Sequence, residues 1–173
     1  PPSCCPSCGG GIVEEGQSKL LRCLNNQCPA QLQRRIEHWC SREAADIDAL
    51  GARWIERLIE HQLVSSISDL YNLCEEDLLP NGEPLFHGLG QKSARRLLES
   101  IGASRQVGLR RTLIGFSIPL ASAGTAKRLC LFGFETIESI QAASESELAS
   151  VDDVGPLVAA SLRETLNRED VKE

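Results

Sequence analysis

The chain has 173 residues, of which 42% are hydrophobic and 24% charged, as in an ordinary soluble globular protein. No apolar run approaches the ~20 residues that a membrane-spanning helix needs, and no signal-peptide pattern opens the chain, so we expect a cytoplasmic protein without membrane contact. The chain begins at Pro1 and contains no Met, which predicts a segment of a longer protein.

The formal net charge of −6 is distributed unevenly along the chain. Residues 129–173 hold 3 basic and 10 acidic groups, whereas residues 86–128 hold eight basic side chains against the single acid Glu99. The basic stretch can attract phosphate although the whole chain is acidic, and the alternative is a solvated helix surface. Its basic residues are Lys92, Arg95, Arg96, Arg105, Arg110, Arg111, Lys127 and Arg128.

A cysteine motif of the form C-x2-C-x14-C-x4-C opens the chain, at Cys5, Cys8, Cys23 and Cys28. Two short-spaced pairs allow four thiolates to surround one Zn²⁺ tetrahedrally, and four sulfurs leave no open position for catalysis. Cys4 offers an alternative first ligand, but the Cys-Pro-x-Cys-Gly turn favours Cys5 and Cys8. The motif therefore predicts one structural zinc per chain.

The zinc segment is predicted to form a small ribbon, and the rest of the chain is predicted to be helical. Gly11–Glu14 and Lys19–Arg22 resemble two short strands, so we assign residues 1–30 to a Cys4 zinc ribbon and 31–173 to a helical domain. Cys40, Cys74 and Cys130 lie in helical patterns and are predicted to be small core residues.

Helical periodicity begins at Pro29, which suits the first turn of a helix. Leu32, Ile36 and Trp39 then recur at helical spacing. The stretches 66–69 and 144–147 resemble capping boxes that open short helices. Since no run of alternating strands follows the ribbon, the fold class is mainly α.

A weak repeat runs through the helical part: a turn residue is followed by apolar residues at the fourth and seventh positions. The four copies are Gly51 with Ile55 and Leu58, Gly90 with Ala94 and Leu97, Ser122 with Ala126 and Leu129, and Gly155 with Ala159 and Leu162. The pattern predicts four helix-hairpin-helix motifs.

Such a hairpin can bind DNA through its backbone. A glycine turn permits close approach, and the N-terminal N–H groups of the following helix point at a phosphate oxygen. These contacts fix position and read no sequence. The predicted DNA-contacting residues are Gly51, Arg53, Gly88, Gly90, Lys92, Ser93, Ser122, Thr125, Lys127 and Gly155.

Taken together, these features resemble bacterial NAD-dependent DNA ligase in the region after its oligonucleotide-binding-fold domain. The matching stretches are Cys-Pro-Ser-Cys-Gly at 5–9, Arg-Cys-Leu-Asn-Asn-Gln-Cys-Pro-Ala-Gln at 22–31, Ile-Glu-His-Trp-Cys-Ser-Arg-Glu-Ala-Ala-Asp-Ile at 36–47, Asp-Leu-Tyr-Asn-Leu at 69–73 and Gly-Gln-Lys-Ser-Ala at 90–94. The resemblance covers essentially the whole chain, with the zinc finger first and the four hairpins after it.

The resemblance implies that the parent enzyme uses NAD and Mg²⁺ to seal nicks in duplex DNA during replication and repair. It also implies that this segment, as a monomer, clamps nicked duplex from the minor-groove side, beside the adenylation and oligonucleotide-binding-fold domains. The four motif cysteines match the zinc ligands, and Gly51, Gly88, Gly90 and Gly155 match hairpin glycines. Because this chain contains no Lys-x-Asp-Gly motif, it is predicted to be inactive alone and to bind neither NAD nor Mg²⁺.

Two other classes of protein share parts of this pattern. A self-standing, non-enzymatic repair accessory protein can also combine a zinc ribbon with hairpins, and it stays open as the alternative. A base-excision glycosylase needs a catalytic aspartate about twenty residues after the hairpin lysine, whereas the first Asp after Lys92 is Asp152. That spacing argues against a glycosylase.

Overall fold

The computed structural model describes residues 2–15, 20–25 and 28–168. Positions 1, 16–19, 26–27 and 169–173 lie outside this description, including Lys19 of the predicted second strand and the last residues of the predicted helical domain. Strands β1 (Ile12–Glu15) and β2 (Leu20–Cys23) pair antiparallel, with Ile12 opposite Cys23. β1 begins one residue later than predicted, and β2 ends at Cys23, one residue beyond the predicted end.

The part of the chain after the ribbon is helical, which confirms the predicted fold class. Pro29 occupies the first turn of α1, as expected. The short helix predicted after the capping box at 66–69 is a 3-10 helix at Ser68–Asn72. The helices are α1 (Pro29–Trp39), α2 (Ala52–Glu60), α3 (Glu75–Leu78), α4 (Gln91–Ser104), α5 (Leu109–Gly115), α6 (Ala123–Phe132), α7 (Ile137–Ala142), α8 (Glu145–Ala149) and α9 (Pro156–Leu166).

Two hydrophobic cores organise the helices. The first contains Ile55 and Leu97 from the first two repeats, and the second contains Leu129 and Leu162 from the last two. All eight apolar repeat positions are buried, because the fourth and seventh positions after the turn face one side of each helix. The repeat therefore places two hairpins in each core.

Within each core the two hairpins contact one another through the same position. The residue six places after each turn residue lies against the turn of the partner hairpin. Arg57 lines one groove with His87 and Gly88; Arg96 Nη2 lies 3.5 Å from Asp48 Oδ2; Arg128 Nη2 lies 2.5 Å from Asp153 Oδ2; and Ser161 Oγ donates to the Pro119 carbonyl at 2.6 Å. Hairpins one and two thus form one pair, and hairpins three and four form another.

The two cores meet where α1 packs on α5. The rings of Trp39 and Phe116 lie 5.3 Å apart, and Trp39 Nε1 donates to the Tyr71 hydroxyl at 3.0 Å. Nε2 of His38 lies 2.8 Å from the Ile114 carbonyl oxygen. The aromatic contact of Trp39 and the polar contact of His38 hold α1 against α5.

The three scattered cysteines have different environments. Cys40 is buried, as predicted, and burial raises its pKa to about 12. Cys130 is half-buried. The prediction for Cys74 is wrong: it is exposed at the N-cap of α3, because this short helix buries Leu78 instead.

Among the described residues, no helix combines the length and hydropathy that crossing a bilayer requires.

Candidate metal centre and nucleic-acid interface

The four motif cysteines converge at the base of the ribbon. Sγ of Cys5 lies 3.8 Å from Sγ of Cys28, and Sγ of Cys8 lies 3.5 Å from Sγ of Cys23. All four sulfurs lie within 4.8 Å of one another. Sulfurs arranged tetrahedrally around zinc at about 2.3 Å are about 3.8 Å apart, whereas a disulfide spans about 2.05 Å. The cluster has the geometry of a four-sulfur metal site.

Backbone groups complete the two cysteine turns. The N–H of Gly10 donates to Cys8 Sγ and the N–H of Asn25 donates to Cys23 Sγ, each at 3.4 Å. Gly9 adopts a left-handed φ of 69°, which explains the glycine after Cys8. Cys4 is exposed and stands outside the cluster.

The surroundings of the cluster shift the pKa values of its thiols in different directions. The Gly10 N–H lowers the pKa of Cys8. Burial raises the pKa of Cys28, but the N–H of Gln31 and other hydrogen bonds outweigh it and bring it to about 6. The Asn25 N–H lowers the pKa of Cys23, but burial and the neighbouring thiols raise it to about 11. Four thiolates so close together repel one another, and a bound dication removes that repulsion.

Each predicted turn residue is the N-cap of a helix: Gly51 of α2, Gly90 of α4, Ser122 of α6 and Gly155 of α9. The backbone there is extended, with φ between −76° and −100° and ψ between 168° and 173°. The three glycine caps supply no side-chain hydrogen bond to their helices. Their N-terminal N–H groups therefore point out from exposed turns, as an anion site requires. Pro156 removes one such donor in α9.

A four-residue turn precedes every N-cap. The N–H groups of Leu50, Leu89, Ala121 and Val154 each donate to the carbonyl three residues earlier, at 2.9–3.2 Å. The third turn residue has a left-handed φ in three copies, at Gly88 (94°), Leu120 (66°) and Asp153 (57°). The sequence pattern revealed only Gly88, because the other two residues carry side chains that ordinarily disfavour this conformation.

The third hairpin differs because its cap is satisfied internally. Ser122 Oγ accepts from the N–H groups of Gly124 and Thr125, each at 3.2 Å. Thr125 is buried, and its hydroxyl oxygen accepts from the Ser122 N–H at 3.1 Å. Lys127 remains exposed on α6. The capping box therefore occupies the donors that a phosphate would use at this hairpin.

Some basic side chains near the hairpins form contacts within the chain, and others are free. Arg105 lies 4.9 Å above the Tyr71 ring, and Arg111 forms an ion pair with Asp46 at 3.3 Å. Arg96 and Arg128 form the ion pairs that join the two hairpins of each pair. In the described part of the chain, Arg53 and Lys92 form no ion pair and are exposed two residues after their caps. Ser93 is exposed beside Lys92. Hairpins one and two thus present free cations beside open helix N-termini.

Comparison with known proteins gives a match to a motif in the last third of the chain and to several named proteins. A family model described as the helix-hairpin-helix motif matches residues 111–173. The chain is 52% identical over 168 residues to a protein named DNA ligase 1 from Nocardia farcinica, covering 97% of this chain and 25% of that protein. It is 39% and 36% identical over 172 residues to proteins named DNA ligase from Anoxybacillus flavithermus and Bacillus subtilis, covering 99% of this chain and 25% of each. The chain spans a quarter of the length of these relatives.

Proposed function

We propose that the chain is the C-terminal, DNA-binding clamp region of a bacterial NAD-dependent DNA ligase, an enzyme that seals nicks in replication and repair. The match to the helix-hairpin-helix motif and to proteins named DNA ligase supports this proposal. The observation that carries this proposal is the set of glycine-capped helix N-termini on exposed hairpin turns. Relatives named DNA ligase favour this function over a self-standing accessory protein.

In the proposed clamp, hairpins one and two bind the phosphate backbone of nicked duplex along the minor groove. Gly51, Gly88 and Gly90 allow close backbone approach, and Arg53 and Lys92 with Ser93 add side-chain contacts to the same phosphates. Hairpins three and four contribute less at Ser122, Thr125 and Gly155, because the capping box and Pro156 reduce the free donors. Lys127 stays available for a phosphate on that side.

Zinc is the proposed occupant of the cysteine cluster, with Cys5, Cys8, Cys23 and Cys28 as its ligands. The spacing and chemistry of the sulfurs support it. Bound zinc would supply folding energy to the ribbon, residues 1–30, and would fix it to α1 through Cys28, which caps that helix. The helical part, 31–173, would then be the DNA-binding domain.

The chemical steps of sealing belong to other parts of the proposed parent enzyme. With no Lys-x-Asp-Gly motif in this chain, the adenylated lysine, NAD and Mg²⁺ are assigned to the adenylation domain. We propose that the segment works as a monomer, in the bacterial cytoplasm, beside that domain and the oligonucleotide-binding fold.

The proposal is tested by the binding of the zinc-loaded chain to nicked duplex, intact duplex and single strands over a range of salt. Contacts with three to five phosphates predict a slope of log K against log salt of about −3 to −4, without sequence preference. Lys92→Ala should weaken binding to all sequences and reduce the steepness by about 1, whereas Lys92→Arg should retain the slope. Salt-independent affinity would contradict the proposal.

Gly90→Val should abolish phosphate binding at the second hairpin without unfolding the chain. No atom lies within 4 Å of a Cβ placed on Gly90, and its φ of −84° suits any residue, so the bulk meets the DNA rather than the protein. We expect at least a tenfold loss of duplex affinity and a stability loss of about 1 kcal/mol or less. Affinity is measured by titration and stability by urea unfolding.

Gly108→Val is the matched control for this substitution. Gly108 is also an N-cap, of α5, with φ −70° and open space around its Cβ, but it lies outside the four repeated turns. Its substitution should leave duplex affinity unchanged. Equal binding by both variants would remove the second hairpin from the phosphate interface.

A further inference from the structure

Two exposed leucines stand at the tips of hairpins three and four. Leu120 is 69% exposed and Leu157 is 75% exposed, although water disfavours both side chains. Leu120 is also held at a left-handed φ of 66°, a conformation that costs a branched residue free energy and that concentrates at functional sites. Exposure and strain therefore coincide at one turn.

The repeat places these leucines at positions that the proposed function assigns to DNA contact in the second hairpin. Leu120 lies two residues before the cap, where the second hairpin has Gly88, and Leu157 lies two residues after the cap, where it has Lys92. The two tips are adjacent, because Ser161 Oγ donates to the Pro119 carbonyl at 2.6 Å, and Leu157 lies one helical turn before Ser161. The leucines therefore occupy the face that carries cations in the first pair.

We infer that Leu120 and Leu157 pack against deoxyribose edges in the minor groove of the bound duplex. This inference rests on the proposed function, since it places the second hairpin pair on the same duplex as the first. Sugars are the apolar part of the duplex surface, and apolar side chains are a common means of contacting the minor groove. An apolar side chain at Leu157 also suits the acidic segment 129–173, which carries three bases against ten acids.

The interface then contains two kinds of contact, one with phosphates and one with sugars. Hairpins one and two bind phosphates through cations and backbone N–H groups, so their contribution falls as salt rises. Hairpins three and four add leucine contacts to sugars, and the contribution of these leucines is nearly independent of salt because they release no counterion. The two contributions can be separated by the salt dependence of binding.

The test uses Leu120→Gly and Leu157→Gln in the zinc-loaded 173-residue chain, with nicked duplex as the probe. Each variant should weaken binding about five- to tenfold at every salt concentration while the slope stays that of the parent chain. Leu120→Gly should also unfold at an equal or higher urea concentration, because glycine removes the strain. A loss of affinity without a loss of stability separates a contact from a folding defect.

Leu131→Gln is the matched control. Leu131 is 75% exposed, as Leu157 is, but lies at the C-terminal end of α6, away from the tips. Its substitution should change affinity less than twofold. An equal loss in Leu131→Gln and the tip variants would overturn the inference.

Two further outcomes distinguish the inference from the proposed function. If the parent chain binds duplex and Lys92→Ala weakens it, while both leucine variants bind normally, the tips contact no sugar and the clamp proposal stands. In that case the leucines are free to dock a protein. If the parent chain binds no duplex at any salt, the clamp proposal fails and the inference fails with it.

Discussion

Cys28→Ser is expected to abolish zinc binding and to unfold the ribbon. Zinc supplies about 10 to 16 kcal/mol to small cysteine-bound segments, and strands of four residues cannot replace it with a core of their own. Cys28 is buried, caps α1 and lies 3.8 Å from Cys5 Sγ, so a hydroxyl there removes a ligand from the centre. Zinc per chain should fall from one to none by elemental analysis.

The helices should survive this loss, because their cores contain apolar residues from α1 onward. Hydrogen exchange should show fast exchange confined to the ribbon, including the Leu24 N–H that donates to the Gly11 carbonyl at 2.9 Å. Exchange spread equally over α4 and α9 would contradict that independence.

Cys4→Ser is the matched control, since Cys4 is the adjacent residue to Cys5 and is exposed outside the cluster. This variant should keep one zinc per chain and the protection of the ribbon. Zinc loss in Cys4→Ser, or full zinc content in Cys28→Ser, would show a different ligand set.

Gly115→Ala is expected to destabilise the chain by about 3 kcal/mol, near the upper end of overpacking costs. A Cβ on Gly115 would lie 2.5 Å from Cε3 and 2.8 Å from Cζ3 of Trp39, and 3.3 Å from Cβ of Ala44. The Trp39 ring cannot yield easily, because its Nε1 is hydrogen-bonded to Tyr71 and its face packs on Phe116. Urea unfolding followed by circular dichroism measures the loss.

Gly102→Ala is expected to stabilise the chain, and it serves as the control for Gly115→Ala. Gly102 lies inside α4 with no atom within 4 Å of an added Cβ, so alanine adds helix propensity without a clash. The free energy of unfolding should rise by about 0.5 to 1 kcal/mol. Equal stability in Gly115→Ala and the parent chain would show that Trp39 can move away from α5 without a loss of stability.

Most of the candidate site was predictable because its signals are local in sequence. The four cysteines follow a spacing that has few other uses, and the structure brings those four together and leaves Cys4 out. The turn residues Gly51, Gly90, Ser122 and Gly155 are N-caps because an apolar pattern at the fourth and seventh positions determines where each helix begins. Helix phase depends on neighbours within one or two turns, which one sequence contains.

Other features were not predictable, because they depend on what lies nearby in space. The sequence marks Cys74 as a helical core residue, but α3 turns it to solvent. The sequence suggests Thr125 as a phosphate ligand, but the structure shows its hydroxyl oxygen accepting a hydrogen bond in the cap of its own helix. Leu120 carries no glycine signal, and only the structure shows its left-handed φ of 66°.

The sequence alone determined the fold class, the four-cysteine cluster and the start of every hairpin helix, because ligand spacing and helical periodicity act over a few residues of chain. Only the tertiary structure decided that hairpins pair one with two and three with four, that four arginines of the basic stretch 86–128 are engaged internally, and that Trp39 packs closely against Gly115. These contacts join residues up to 76 positions apart, as between His38 and Ile114. Packing of distant side chains selects them, and no local pattern encodes it.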